Sequence, residues 1–96
     1  MSELVLVAVV EAKPGQAAAL KAELASLVPP TVKEEGCLSY VLHESRDSDS
    51  TFVFLERWES EALLEKHLAS DHLVAFQAKA EALVESLTLH KLDAVG

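Results

Sequence analysis

Residues with acid–base and stacking capacity gather in one short stretch, WESEALLEKHLASDH, residues 58–72. It holds the chain's single tryptophan, Trp58, and two of its four histidines, His67 and His72. An imidazole titrates near neutral pH, so in an apolar, partly dry pocket it can trade protons with a bound molecule. A tryptophan beside it offers a flat wall. Two residues before Trp58 stands Glu56, a carboxylate between Phe54 and Trp58 on one strand face. If that face is buried, its pKa rises. The plain alternatives are an ion pair of Glu56 with Arg57, Lys66 or a partner chain, core packing for Trp58, and helix-end hydrogen bonds for both histidines.

Other chemistries find little footing. The three glycines stand apart at 15, 36 and 96, so no phosphate loop exists. A Ser-His-Asp set can be drawn only from scattered residues. His67 and His72 are five apart across a helix break, whereas zinc-binding helices space histidines by four, and a third ligand would be needed. The spacing therefore supports a metal site only weakly.

The elements that must position these groups follow from periodicity. ELVLVAVVEA, residues 3–12, reads as a strand covered on both faces, stopped by the turn KPGQ. Ala17, Leu20, Leu24, Leu27 and Val28 fall at helical spacing over 16–28. Pro29 and Pro30 end or kink that helix, with a short further turn over 31–35. GCLSYVLHES alternates, with Leu38, Tyr40 and Leu42 on one face and Cys37, Ser39, Val41 and His43 on the other. TFVFLERW alternates again, with Phe52, Phe54, Glu56 and Trp58 together, and the pair reads as a hairpin. Ser60 caps a helix that turns Leu63, Leu64, His67 and Leu68 inward, and Ser70 caps a second. Beyond it His72, Phe76, Ala80, Leu83 and Leu87 form one stripe, and LTLHKL, 87–92, closes as a strand. This order is α+β, the split βαβ of the ferredoxin-like class, βαββααβ, with helices on one face of an antiparallel sheet. Tyr40 points with the core and His43 to the opposite face.

Composition bounds the rest. Ninety-six residues make one domain, 1–96 with its core over about 3–92. So short a chain buries only roughly 60–65% of its unfolded surface. Half of its residues are nonetheless hydrophobic. The surplus, and a first strand apolar on both sides, predict a homodimer in which a second copy covers the bare sheet face. A net charge of −8, with eight basic residues spread from Lys13 to Lys91, argues against nucleic acid and anionic membrane as partners. One cysteine, Cys37, excludes an internal disulfide and fits a reducing cytoplasm. No signal peptide or apolar span is visible.

Read together, EGC-L-S-Y at 35–40, E-x-W-x-S at 56–60, H-x-x-S-x-H at 67–72 and the early KPGQ resemble the antibiotic biosynthesis monooxygenase domain family, in particular its small stand-alone quinol-monooxygenase-like members. The resemblance spans about residues 3–92. It implies a dimeric α/β barrel of ferredoxin-like subunits and the oxidation of a quinol or related phenol by dioxygen as co-substrate, with no flavin, haem or metal. Within it, His67 would be the proton acceptor and His72 a hydrogen-bond partner for substrate or oxyanion. Trp58, Tyr40, Glu56, Phe54 and Phe76 would bind a small aromatic substrate. The chain departs from members that use an asparagine, since it contains none. A non-catalytic small-molecule-binding or stress-protection dimer of the same fold is therefore a second expectation. An isomerase of small sugar derivatives is a third, with Arg46, Arg57 and Lys66 the cations available for a phosphate. The haem-degrading branch of the fold uses an Asn, a Trp and a His where this chain has Ala8, His67 and Gln77, which excludes haem degradation.

Overall fold

A computed structural model describes residues 3–96, so the first two residues of the expected 1–96 domain lie outside the described residues. Its elements are β1 (Leu4–Ala12), α1 (Ala17–Ser26), α2 (Val28–Val32), β2 (Cys37–Glu44), β3 (Thr51–Trp58), α3 (Glu61–Leu68), α4 (Asp71–Leu83) and β4 (Val84–Leu92). The four strands form one antiparallel sheet in the order β2-β3-β1-β4, the ferredoxin-like arrangement.

Pleating sorts the side chains. On β1, Leu6, Ala8, Val10 and Ala12 are buried beneath the helices, and on β3 so are Phe52, Phe54, Glu56 and Trp58. Leu20, Leu24 and Leu27 of the first helical segment, Leu64 of α3 and Phe76 of α4 close the core over them. The opposite face carries Val5, Val7 and Val9 of β1, in register with Arg57, Leu55 and Val53 of β3. Val41, Leu55 and Leu92 are about half exposed there. Among the described residues no helix is long and apolar enough to cross a membrane.

Three local expectations are corrected. Pro29 and Pro30 do not merely end a helix; they occupy the first turn of α2, where a missing N–H costs nothing and the fixed φ suits helix initiation. Leu87 does not extend the α4 stripe. The helix stops at Leu83, the chain turns extended at Val84, and β4 starts there, three residues earlier than its predicted start. A hydrogen bond from Lys13 N to Leu83 O, 2.9 Å, pins the switch. Finally, Leu38 does not share a face with Tyr40. A register shift between Cys37 and Ser39 sets Cys37 opposite Trp58 and Tyr40 opposite Glu56, so Leu38 is the extra residue and is exposed.

The bulge follows Gly36, whose φ of 85° is left-handed and which packs so closely on α3 that a Cβ would lie 2.4 Å from Leu63 Cδ1. Only glycine meets both demands. Its carbonyl accepts from Glu59 N at 2.9 Å, tying the start of β2 to the end of β3.

Candidate functional site

The end of β3 and the α3–α4 junction meet over the sheet. Ser60 caps α3 through Leu63 N, and Ser70 caps α4 through Leu73 N, as their types predict. The first cap sets the phase that turns His67, in the last turn of α3, inward; its side chain is 2% exposed. The second places His72 in the first turn of α4 with its ring against the end of α2.

Glu34, on the short segment between α2 and β2, joins them. One of its carboxylate oxygens, Oε2, accepts from Nδ1 of His67 at 2.7 Å and from Nε2 of His72 at 2.8 Å. His72 Nε2 also lies 3.1 Å from Thr31 Oγ1 and 3.3 Å from Ser70 Oγ. With Nδ1–H donating to a carboxylate, neutral His67 holds its proton on that nitrogen and keeps Nε2 as an acceptor. Burial pushes the His67 pKa below its ordinary value and so favours the neutral ring, against the upward pull of Glu34.

Glu56 is the second polar group. Its Oε1 accepts from the Trp58 indole N–H at 2.8 Å. Neither predicted ion pair forms: Arg57 turns to the opposite face and pairs with Glu3, and Lys66 pairs with Glu35. Burial, opposed by the indole hydrogen bond and reinforced by Glu34, raises the Glu56 pKa to about 7. Tyr40 stacks on Phe54 with ring centroids 4.5 Å apart and meets His67 edge-on at 5.5 Å. Burial first, then the Glu56 charge, pushes its hydroxyl pKa well up, so the phenol stays a donor.

These groups open onto a cavity of about 260 Å³ beneath the helices. Tyr40, Phe54, Glu56, His67 and Phe76 line it, within a wall otherwise dominated by aliphatic side chains, with Leu87 and Leu89 of the edge strand β4 exposed at its rim. A larger depression of about 640 Å³ lies by the β1–α1 turn among Lys13, Lys21, Glu44 and Asp49 and brings none of the predicted site residues together.

Two of the predicted residues sit elsewhere than the cavity wall. Trp58 is fully buried behind it, its ring 4.7 Å from that of His67 and its N–H spent on Glu56. It holds two site residues and offers no surface to a ligand. His72 is likewise absent from the lining; its ring turns toward Glu34 and Thr31, so it acts on the cavity only through Glu34. Sequence reasoning missed Glu34. Within KEEGC it looks like one of several solvated charges, and nothing local ties it to histidines 33 and 38 positions away. Gln77, at the cavity wall, was also missed as a lining residue.

The chain matches known proteins over most of its length. The model of the antibiotic biosynthesis monooxygenase family matches residues 4–79. A Bacillus subtilis protein named "Putative monooxygenase YcnE" is 35% identical over 83 residues, covering 86% of this chain and 87% of its own. The Escherichia coli protein named "Probable quinol monooxygenase YgiN" is 33% identical, covering 94% and 96%. The crystal structure of PA3566 from Pseudomonas aeruginosa superposes with a TM-score of 0.96 at 36% identity, covering all of this chain and 97% of that one. The family match over residues 4–79, with relatives at 33–35% identity along most of their length, places the chain in the antibiotic biosynthesis monooxygenase family.

Proposed function

We propose that the chain is a cofactor-independent monooxygenase that oxidises a quinol or related phenol with dioxygen. The observation that carries this reading is the cavity, apolar except for a few polar groups that include His67, Glu56 and Tyr40. At about 260 Å³ it is slightly smaller than the roughly 300–1,000 Å³ common for drug-sized ligands, which suits one ring or two fused rings. The relatives' names point the same way.

In this reading His67 Nε2 takes the proton of a phenolic O–H. The phenolate passes one electron to dioxygen, and the superoxide and substrate radical combine to form a C–O bond. The ring-bound hydroperoxide then loses water as its O–O bond breaks, leaving a hydroxyquinone. Quinol plus dioxygen thus gives hydroxyquinone plus water, and no external reductant is consumed. Glu34 positions the base by holding Nδ1–H. Glu56, half protonated near neutral pH, can return a proton to the departing oxygen. The aliphatic wall excludes water from the charge-separated step.

The open sheet face supports a homodimer. Val5, Val7, Val9, Val41, Val53 and Leu55 give an apolar surface that helices leave bare, and a second copy would close the two sheets into a barrel. The test of function is a quinol panel incubated with protein under oxygen, with products followed by mass. A product heavier than the quinone by one oxygen, formed faster than in buffer, supports the reading. Ligand-dependent thermal stabilisation without turnover would instead favour the non-catalytic binding dimer, which the absence of asparagine motivates.

A further inference from the structure

Glu34, His67 and His72 approach from three separate segments, and their carboxylate oxygen and two ring nitrogens all lie within 4.8 Å of one another. We propose that they form a binding site for a borderline transition-metal ion of the Zn²⁺ class, placed behind His67 so that the ion controls the nitrogen facing the cavity.

The donor set argues for this class of ion. Two imidazoles and one carboxylate are a three-ligand zinc set that leaves a fourth position open, whereas Mg²⁺ and Ca²⁺ prefer all-oxygen cages. The ligand atoms are already gathered, since Glu34 Oε2 sits 2.7 Å from one ring nitrogen and 2.8 Å from the other, and an ion would displace the protons they share. Zinc bonds of about 2.0–2.1 Å in tetrahedral geometry space the ligand atoms by roughly 3.4 Å. The carboxylate must therefore withdraw slightly while the two rings, whose nitrogens lie within 4.8 Å, draw together, and Glu34 stands on the link between α2 and β2, outside any helix or strand. Among the described residues the only ion-pair partners of Glu34 are these two rings; no lysine or arginine competes for it.

Access decides what the ion does. The Glu34 and His72 side chains are 17% and 23% exposed and His67 only 2%, so an ion enters from the outer side. Neither Glu34 nor His72 lines the cavity, so the ion does not meet the substrate and is not the reaction centre. Its effect passes through His67. Coordination takes the lone pair of Nδ1, so the single ring proton of neutral His67 must reside on Nε2. The nitrogen facing the cavity changes from acceptor to donor, and an ion at this site switches off the base. That consequence rests on the reading of His67 as proton acceptor; the binding itself does not.

The test titrates chelator-treated full-length protein with Zn²⁺ and with Mg²⁺ by calorimetry, and reads Tm alongside. The expected result is one Zn²⁺ per chain, a raised Tm, and no heat from Mg²⁺. Affinity falls at least tenfold in His72→Ala and in Glu34→Gln and is unchanged in His90→Ala, whose ring is exposed on β4. Circular dichroism verifies each fold, with His72→Gln as the substitute should His72→Ala not fold. No stoichiometric uptake, or equal uptake by the His72 variant, overturns the site. Zn²⁺ bound by a chain that oxidises no quinol leaves the site standing and defeats the functional reading; quinol oxidation without Zn²⁺ uptake does the reverse. In a chain with both, Zn²⁺ lowers the rate and a chelator restores it.

Discussion

The same strands build two faces of opposite character. Beneath the helices, β1 and β3 bury Leu6, Ala8, Phe54 and Trp58 together with a carboxylate, and α3 adds an imidazole. On the far side they present Val5, Val7, Val9, Val53 and Leu55 with nothing above them. Polar groups are costly to bury, so each one on the covered face has a partner: the indole for Glu56, a carboxylate for His67. Among the described residues no buried side-chain nitrogen or oxygen lacks a hydrogen bond. The open face needs no such partners because its polar side chains, among them Arg57, Thr88 and His90, stay exposed beside the valines. The buried polar groups thus lie on the side where protein walls supply low dielectric and fixed donors, and the proposed dimer would use the other.

Substitutions on the two faces should separate accordingly. The largest effect belongs to Trp58→Ala, which empties the best-buried large side chain and strips Glu56 of its donor. A loss of about 3–5 kcal/mol is expected by denaturant unfolding.

Next is Glu56→Gln, whose effect depends on pH. The wild-type carboxyl has a folded pKa of about 7 against 4.5 unfolded, so the native state holds its proton longer. Stability is therefore lost as pH rises from about 4.5 to 7, by roughly 3 kcal/mol in all. The glutamine variant lacks this loss, and its stability relative to wild type should climb through that window and then level off. His67 works in the other direction. Its lowered pKa makes stability fall as pH drops below the unfolded value of 6.5. Unfolding curves of wild type and Glu56→Gln at pH 5 and pH 8 check the sign.

Gly36→Ala should cost about 1–3 kcal/mol through the left-handed φ and the clash with Leu63. The smallest change in subunit stability, within about 0.5 kcal/mol, belongs to Leu55→Lys on the open face. There the expected change is in association: light scattering should report a 10.4 kDa monomer for the variant and twice that mass for the wild type if the proposed dimer forms. If Leu55→Lys destabilised the subunit as Trp58→Ala does, the contrast between the faces would collapse.

Periodicity made much of this legible. Unbroken alternation on β3 put Phe54, Glu56 and Trp58 on one face, and two serine caps set both helices in phase. What stayed hidden has physical reasons. The bulge at Leu38 depends on the backbone of Gly36 and the press of Leu63, which no pattern within β2 encodes. The pocket-wall reading of Trp58 failed because burial alone does not say whether a side chain meets a cavity or other atoms; here its N–H turns to Glu56. Glu34 was invisible because its meaning comes from contacts across more than thirty residues.

The central claim is that His67 is the proton acceptor of an oxygen-dependent reaction in the cavity. Its most direct test is the rate of quinol oxidation by wild type and by His67→Ala across pH, with product followed by mass. The account predicts a loss of about 10²–10⁴-fold in the variant. It also predicts that the wild-type rate falls as pH drops through the lowered His67 pKa, an inflection that the variant lacks. Equal rates in the two proteins would contradict it.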